Sequence, residues 1–183
     1  MTSIIINRDS LIFLKKLARN NNRAWFNKHK DQYLEAHNNL IAFADGLLSE
    51  MGKHDKIDTS SGKEALFRIY KDVRFAKDKT PYNTHWSGAF KRSTKKLRGG
   101  YYFNIHPGNS FLAGGFWGPE PHDMNRIRQD IDLNYADWIK LLSGKSLLQM
   151  FVKMTGEQVC TAPRGSAQDH PAIDLLRFKH IIL

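Results

Sequence analysis

The sequence contains very little cysteine. Its 183 residues include only Cys160, so no disulfide can form within the chain, and we expect a reducing, cytoplasmic setting. A single thiolate also cannot hold zinc without a tight cluster of histidines or carboxylates around it. No two of the eight histidines show the i, i+4 helical spacing with a carboxylate that is typical of zinc proteases. The sequence therefore predicts no metal site.

Long apolar runs and nucleotide-binding glycine motifs are also missing. The N-terminal run Ile4-Ile5-Ile6 is too short for a signal peptide, and no later segment reaches the apolar length that spans a bilayer. The glycine-rich stretch 114–118 has neither the Lys-Ser/Thr of a phosphate loop nor the strand–helix setting of a dinucleotide fingerprint. We expect a soluble protein with no cofactor and no membrane partner.

Positive charge is abundant and unevenly distributed. The formal net charge is +10, and between Lys53 and Arg98 there are 13 Lys or Arg against 5 Asp or Glu, a net of +8. A local positive field attracts phosphates, nucleic acid, anionic metabolites or an acidic protein. A solvated lysine-rich surface is the alternative explanation, above all for residues 91–98. We expect an anionic small molecule as the partner, with nucleic acid as the second candidate.

The N-terminal part of the chain has helical spacing of its apolar residues. At this length and with 41% apolar residues the chain fits one domain, predicted over residues 1–183. A short first helix is predicted after Asp9, ending at Asn20-Asn21-Asn22 in left-handed conformations. Asn22 is suited to cap a second, long amphipathic helix that ends at Gly52. Its apolar stripe consists of Phe26, Tyr33, Ala36, Leu40, Phe43, Leu47 and Met51.

Residues 66–117 are rich in aromatic and β-branched residues in short runs, interrupted by Gly, Pro and Asn. Four strands are predicted, at residues 66–75, 85–92, 100–106 and 110–117. Pro107-Gly108-Asn109 is the predicted turn between the last two, and the short connections favour an antiparallel meander. Gly114-Gly115 in the fourth predicted strand indicates a bulge or a close approach by another backbone or a ligand.

Helical spacing returns after the strands. The predicted elements are a helix capped by Asp123, helical segments at 135–142 and 146–154, and a last helix opened by Pro171. This order predicts an α+β fold, in which an antiparallel sheet of about four strands packs against a long N-terminal helix and a C-terminal group of shorter helices. The chain ends on Ile181-Ile182-Leu183 directly after a basic segment, and we expect a further C-terminal segment in the natural protein.

The densest cluster of charged and aromatic residues lies between Arg68 and Tyr82. Strand alternation would place two sets of side chains on opposite faces, namely Arg68, Tyr70, Asp72 and Arg74 on one and Phe67, Ile69, Val73 and Phe75 on the other. Asp72 could then hold the guanidinium groups of Arg68 and Arg74 as a fork for a carboxylate or phosphate. A structural ladder of ion pairs on an exposed sheet face is the alternative.

The following loop adds lysines at defined positions. Pro81 restricts the backbone, so Tyr82 is presented at a defined angle. Lys77 and Lys79 are candidates to bind an anion, Asp78 to orient these cations, and Tyr82 to donate a hydrogen bond or to stack.

These residues match the pattern of a known family. The matching features are Asn21-Asn22-Arg23, Trp25-Phe26, the segment 68–82, Gly100-Tyr101-Tyr102, Gly114-Gly115, Trp117, Pro119, Arg128, Pro163-Arg164-Gly165, Asp169-His170-Pro171 and Leu175-Leu176. On these features the chain resembles the domain of unknown function 2461 family over nearly its whole length. The family pattern usually carries Arg at the position of Lys71, Ser at that of Ala76 and Lys at that of Asn83. The resemblance implies no particular activity.

The leading hypothesis is a ligand-binding or regulatory domain whose basic and aromatic cleft accepts an anionic group. The candidate ligand-binding residues are Arg68, Asp72, Arg74, Lys77, Asp78, Lys79 and Tyr82, with Trp117 and Arg128 closing the site from other elements.

Two alternatives remain open. One is an enzyme acting on a phosphorylated or carboxylated substrate, with Asp72, Asp78 or His85 as general acid or base. The neighbouring cations should lower the pKa of Asp78, which opposes its use as a proton donor. The other is nonspecific nucleic-acid binding through residues 53–98, with a basic hairpin tip that comprises Lys91, Arg92, Lys95, Lys96 and Arg98.

Overall fold

The computed structural model of the chain describes residues 5–93, 98–151 and 153–183. Ile4 of the N-terminal apolar run and Lys95 and Lys96 of the predicted basic tip lie outside the described residues. The helices are α1 (Arg8–Arg19), α2 (Arg23–Lys28), α3 (Lys30–Met51), α4 (Gly62–Ala65), α5 (Pro121–Leu133), α6 (Tyr135–Leu142), α7 (Lys145–Met150) and α8 (Ile173–Leu176). The strands are β1 (Trp86–Lys91), β2 (Gly100–Ile105), β3 (Phe111–Phe116) and β4 (Ile181–Ile182).

The four strands form one antiparallel sheet in the order β1-β2-β3-β4. With the long helix α3 and several shorter helices, this confirms the predicted α+β fold. The chain divides into two compact units, the first up to Leu112 and the second from Ala113. The single domain over residues 1–183 stays a prediction. None of the described helices is both long and apolar enough to cross a membrane.

The first helices begin and end at asparagines. The Oδ1 atom of Asn22 accepts the backbone N–H of Trp25 at 2.9 Å, which confirms Asn22 as the cap of a helix. Helix α1 ends at Arg19, as predicted, but Asn20 has a φ of −136°. Among the described residues only glycines have positive φ, so the predicted left-handed stop is wrong. Asparagine hydrogen bonds end the helix here instead, since Asn20 Nδ2 donates to the Lys16 carbonyl at 3.0 Å.

The long amphipathic helix is divided near its start. Helix α2 ends at Lys28 and α3 begins at Lys30, with His29 between them, whereas one continuous helix was predicted from Asn22. The ring of His29 stacks on that of Trp25 at 4.1 Å, and His29 Nδ1 lies 2.8 Å from the Trp25 carbonyl oxygen. The Trp25 carbonyl is therefore shared between the His29 ring and the His29 N–H, which donates to it at 3.1 Å. The predicted end at Gly52 is confirmed.

The core of the first unit is aromatic. It contains Phe13, Leu14, Leu17, Phe26, Ala36, Leu40, Ala44, Ala65, Ile69, Tyr82, Trp86, Phe90, Phe103 and Ile105. Helices α1 to α3 supply one side of this core through their apolar stripes, and alternate residues of β1 and β2 supply the other. Each large apolar side chain buried in this way contributes about 1.5–3 kcal/mol. The core therefore holds the short helix α2 in place through Phe26.

The hairpin formed by β1 and β2 is regular. Trp86 lies opposite Ile105 and Lys91 lies opposite Gly100, in agreement with the strands predicted at 85–92 and 100–106. Asp55 links the two strands at one end of the hairpin, where Lys91 lies opposite Gly100. Its Oδ2 atom accepts from Arg92 Nε at 2.6 Å and from the Tyr101 hydroxyl at 2.7 Å. These hydrogen bonds, that of Arg92 above all, lower the pKa of Asp55 to about 2.

Residues 66–75 do not form the predicted strand. They make only isolated bridges, from Leu66 to Gly88 and from Tyr70 to Tyr82. The predicted alternation also fails, since Ile69 is 2% exposed while Phe75, expected on the same face, is 96% exposed. The segment lacks a long partner strand, so most of its backbone groups never enter a ladder. The fourth strand of the sheet is β4, which was not predicted.

In the second unit, β3 pairs with β4. Gly115 lies opposite Ile182, and the N–H and carbonyl of Gly114 each bond to Leu183 at 3.0 Å. Gly115 has a φ of +149°, and a Cβ atom there would overlap the carbonyl oxygen of Ile181. The prediction that another backbone approaches the Gly114-Gly115 pair closely is therefore confirmed.

The helices of the second unit differ from the prediction at their ends. Helix α5 begins at Pro121 rather than after Asp123, because proline is suited to the first helical position. Helix α6 has the predicted bounds, whereas α7 ends at Met150 rather than at 154. Helix α8 begins at Ile173 rather than at Pro171. A small core of this unit contains Ile131, Ala172 and Leu176.

Candidate functional site

Two short segments of the first unit pair at the site. Lys71 N–H donates to the Pro81 carbonyl at 2.9 Å, and Asn83 N–H donates to the Ile69 carbonyl at 2.7 Å. These two bonds flank the bridge between Tyr70 and Tyr82 and make a minimal antiparallel pair. The pair fixes the backbone on which the two tyrosines stand.

The side chain of Asn21 closes the outer edge of this pair. Its Oδ1 atom accepts the Tyr82 N–H at 3.1 Å, and its Nδ2 atom donates to the Tyr82 carbonyl at 2.8 Å. A single amide therefore satisfies both backbone groups of Tyr82, as a neighbouring strand would do. Because Asn21 directly precedes the cap of α2, these bonds also tie that helix to the tyrosine pair.

Three aromatic rings, those of Phe26, Tyr70 and Tyr82, pack together at the tyrosine pair. Phe26 and Tyr82 stack with centroids 4.0 Å apart and planes 13° apart. The ring of Tyr70 lies 5.3 Å from that of Tyr82 and 5.8 Å from that of Phe26, edge-on to the latter. Tyr82 is only 3% exposed, whereas Tyr70 is 47% exposed. Tyr70 is therefore the ring of this group that a ligand can reach.

A small cleft lies above these rings. Its volume is about 290 Å³, and its lining residues are Arg23, Asn27, Tyr70, Lys71, Val73, Pro81 and Tyr82. Arg23 and Asn27 are one helical turn apart on α2, so their side chains lie on the same side of that helix. Among the described residues, neither side chain makes a hydrogen bond or an ion pair. The cleft thus offers a guanidinium and an amide with unused hydrogen-bonding groups.

The positive charge of Arg23 acts on the tyrosine below it. Burial raises the pKa of the Tyr82 hydroxyl, the neighbouring Tyr70 raises it further, and Arg23 opposes both by lowering it. The Tyr82 hydroxyl therefore keeps its proton at neutral pH. The opposing effect of Arg23 is consistent with a guanidinium close to the ring.

Lys71 is the second cation of the cleft, and it is held in position by the loop. Its Nζ atom donates to Asp78 Oδ2 at 2.6 Å and to Thr80 Oγ1 at 3.0 Å. Asp78 also accepts the Thr80 N–H at 2.9 Å and the Thr80 hydroxyl at 2.8 Å. The bond from Lys71, followed by those from Thr80, holds the pKa of Asp78 far below its usual range. An ammonium has three donors, so Lys71 keeps one for a ligand.

The loop of residues 71–80 contains a second ion pair away from the cleft. Arg74 donates to Asp72 through Nε at 3.0 Å and through Nη2 at 2.6 Å, and this pair lowers the pKa of Asp72. Lys79 Nζ donates to the carbonyls of Val73 at 3.0 Å and of Arg74 at 3.3 Å. Asp72 does not hold both guanidinium groups, since Arg68 affects it only by its charge.

The structure brings few of the predicted site residues into the cleft. Of the nine, only Tyr82 lines it, together with the neighbours Tyr70, Lys71 and Pro81. Arg68 and Lys77 are exposed and make no hydrogen bond or ion pair within the described part of the chain. A ligand role for Arg68, Asp72, Arg74, Lys77, Asp78 and Lys79 stays a prediction.

Trp117 and Arg128 belong to the second unit. Trp117 is 73% exposed and stacks on His180 with centroids 4.5 Å apart. Arg128 donates to the Leu176 carbonyl at 2.9 Å and to the Phe178 carbonyl at 3.4 Å, and burial lowers the pKa of its guanidinium. Arg128 therefore caps the carbonyl end of α8, and ligand roles for these two residues stay predictions.

Arg23, Asn27, Tyr70 and Lys71 line the cleft but were not predicted as ligand-binding residues. Arg23 stood within the Asn21-Asn22-Arg23 feature, and its i, i+4 spacing to Asn27 was a usable signal once α2 was expected. The distance in sequence between α2 and the tyrosine pair left no pattern that joins them. The contacts of Asn21 and Phe26 with Tyr82 show that the two regions meet.

The described residues offer little for acid–base or metal chemistry near the cleft. Burial, followed by the charges of His106 and Lys71, lowers the pKa of His85, so this side chain is neutral at pH 7. Its ring lies 6.4 Å from that of His106. No group of three or more His, Cys, Asp or Glu suited to a metal ion occurs in the part of the chain that the structure describes.

Fold and cleft together define the class: an α+β protein whose first unit carries a small basic and aromatic cleft. Within that class, the family model described as a conserved hypothetical protein, DUF2461, matches residues 9–183. The chain belongs to this family, which confirms the resemblance drawn from its motifs. No curated protein and no solved structure matches the chain.

Proposed function

We propose that the cleft binds the anionic group, a phosphate or carboxylate, of a small molecule. The observation that carries this proposal is that Arg23, whose guanidinium has no partner among the described residues, lines the same cleft as Lys71. A guanidinium presents a planar fork that matches two oxygens of a phosphate or carboxylate. The remaining proton of Lys71 supplies a third donor.

The loop of residues 71–80 supports this role by orienting Lys71. Asp78 and Thr80 fix the ammonium while they use only two of its three donors. Asp78 stays ionised at any physiological pH because its pKa is strongly lowered. A positioned cation loses less side-chain entropy on binding than a free lysine does.

The surrounding charge adds a long-range contribution. Residues 53–98 carry a net charge of +8, which raises the local concentration of anions at the cleft. In this proposal Arg68, Lys77 and the other predicted cations attract the ligand, while Arg23 and Lys71 contact it. Added salt should therefore weaken binding of the anion, whereas it would have little effect on a contact between neutral groups.

Calorimetric titration of the full chain with inorganic phosphate and with malonate tests the proposal. Arg23→Gln should lower the affinity for whichever of these two anions binds more tightly by at least about tenfold, since hydrogen bonds to charged groups are worth roughly 1.5–3 kcal/mol. Arg8→Gln is the matched control, because Arg8 is an exposed arginine of α1 that does not line the cleft.

Two further variants then assign the contacts. Lys71→Gln should resemble Arg23→Gln, whereas Arg74→Ala should leave most of the affinity, because Arg74 is paired with Asp72. Equal losses from Arg23→Gln and Arg8→Gln would contradict the proposal, since a general field would then explain binding. If only Arg74→Ala loses affinity, the proposal is wrong, and the ligand-binding residues are those predicted from the sequence.

A further inference from the structure

We infer that the ligand of the cleft is a nucleoside monophosphate, whose base stacks on Tyr70 while its phosphate binds Arg23 and Lys71. The inference rests on the proposed function, because it takes the anion site as given. It adds a ring-binding surface and a polar group that can read the edge of a base. Three observations on the lining of the cleft carry it.

The first observation is the open ring of Tyr70. Of the three packed rings, those of Phe26 and Tyr82 are 1% and 3% exposed, so each is covered by the core. Tyr70 is 47% exposed, although its ring also touches that pair. Its position is therefore supported from one side and open from the other. Aromatic rings of this kind stack on nucleobases, whose faces are planar and polarisable.

The second observation is the side-chain amide of Asn27. It lines the cleft and makes no hydrogen bond to any other described residue. An amide carries a donor and an acceptor side by side, the arrangement that pairs with adjacent groups on the edge of an adenine. Arg23 stands one turn away on the same side of α2, so phosphate and base contacts would come from one helix.

The third observation is size and charge. The volume of about 290 Å³ lies at the lower limit of ligand sites, which run from roughly 300 to 1,000 Å³. This space suits one ring and one anionic group. Two lining cations also match the charge of a phosphate monoester, whereas a triphosphate would leave several oxygens without donors.

Binding of three phosphate monoesters to the full chain tests the inference. Ribose 5-phosphate has no aromatic ring, phenyl phosphate has a ring without polar edge groups, and adenosine monophosphate has both. We expect adenosine monophosphate to bind most tightly and ribose 5-phosphate most weakly. The stacked ring should account for a difference of about fivefold or more. Equal affinities for all three would overturn the inference.

Variants separate the two added contacts. Tyr70→Leu should reduce the affinity for phenyl phosphate to that of ribose 5-phosphate and should weaken adenosine monophosphate by a similar factor, while Tyr70→Phe should retain both affinities. Asn27→Ala should weaken adenosine monophosphate alone. Phe67→Leu is the control, since Phe67 is a 50% exposed aromatic residue of the same unit outside the cleft. If Tyr70→Leu still prefers phenyl phosphate and adenosine monophosphate over ribose 5-phosphate to the same degree, the stacking contact is overturned.

The same titrations distinguish failure of this inference from failure of the proposed function. If ribose 5-phosphate binds and Arg23→Gln abolishes its binding, the anion site is supported, regardless of whether a base stacks on Tyr70. If phenyl phosphate and adenosine monophosphate bind with equal affinity and Asn27→Ala changes neither, the nucleoside is overturned as the ligand and an aryl phosphate takes its place. Absence of binding by every monoester would overturn both.

Discussion

The β1–β2 hairpin and the loop of residues 71–80 belong to the same unit but are held together differently. In the hairpin, backbone groups bond across six paired positions, from Trp86 with Ile105 to Lys91 with Gly100. In the loop, charged side chains bond to the backbone and to one another. Strands were predicted in both regions, at 85–92 and 100–106 in the hairpin and, through the predicted strand 66–75, in the first half of the loop.

Two phenylalanines show the contrast most directly. Phe103 of β2 is 1% exposed and packs against Phe43 and Phe90, whereas Phe75 of the loop is 96% exposed. An alternating pattern therefore gives a strand only where a partner strand is available for its backbone and a core for its apolar face. Where they are missing, polar side chains satisfy the backbone locally.

The hairpin should depend on its apolar core. Phe103→Ala is expected to lower the free energy of unfolding by about 3–5 kcal/mol, because it removes a fully buried ring and leaves a cavity. Urea unfolding followed by circular dichroism measures this change. A loss below about 1 kcal/mol would mean that the hairpin does not need this core.

The packing of the segment that carries Tyr82 against Tyr70 should depend on the side-chain amide of Asn21. Asn21→Ala is expected to lower the free energy of unfolding by about 1–3 kcal/mol, since both backbone groups of Tyr82 lose their partner. Asn20→Ala is the control, because the Asn20 side chain makes one exposed bond at the end of α1. Urea unfolding compares the two, and equal effects would contradict a special role of Asn21.

Acid should weaken the clamp at the end of the hairpin. The pKa of Asp55 is lowered from 3.8 to about 2, so its ionised form stabilises the fold above about pH 4. That contribution is lost as the pH falls through the folded pKa. The difference in urea midpoint between the native chain and Asp55→Asn should therefore shrink between about pH 4 and pH 2. A difference that grows in this window would contradict the clamp.

Asp58→Asn is the control for this measurement. Asp58 is an exposed residue near Asp55, and its carboxylate makes no ion pair among the described residues. Its variant should follow the native chain over the same pH window.

The tip of the loop should contribute least to stability. Phe75→Ala is expected to change the free energy of unfolding by less than about 0.5 kcal/mol, because nearly all of the ring is already in water. Urea unfolding under the conditions used for Phe103→Ala provides the comparison. A loss above about 1 kcal/mol would show that the ring is buried in solution.

Periodicity predicted the elements that are stabilised by their own pattern. The apolar stripe of α3, the strands at 85–92 and 100–106, and helix α6 follow from residues close in sequence. Periodicity failed at β4, which has two residues and gains its stability from pairing with Gly115 and Phe116. A two-residue strand has no period to read.

The cleft and the predicted site overlap only in part. The cluster between Arg68 and Tyr82 contains five of the residues that line the cleft, but Tyr82 is the only one of them that was predicted to bind a ligand. Arg23 and Asn27 could not be assigned to it, since 61 positions separate Asn21 from the Tyr82 it contacts. Charge density in a sequence shows where cations are, but not which of them already have partners.

Composition and local pattern determine the charge of this protein, its α+β class and the segment that surrounds the cleft, because these properties depend on neighbouring residues. Tertiary structure alone decides that Arg23 and Asn27 of α2 line one cleft with Tyr70 and Lys71. It also decides which tyrosine is open and which is covered. These outcomes depend on contacts between distant segments, whose geometry follows from packing and not from sequence spacing.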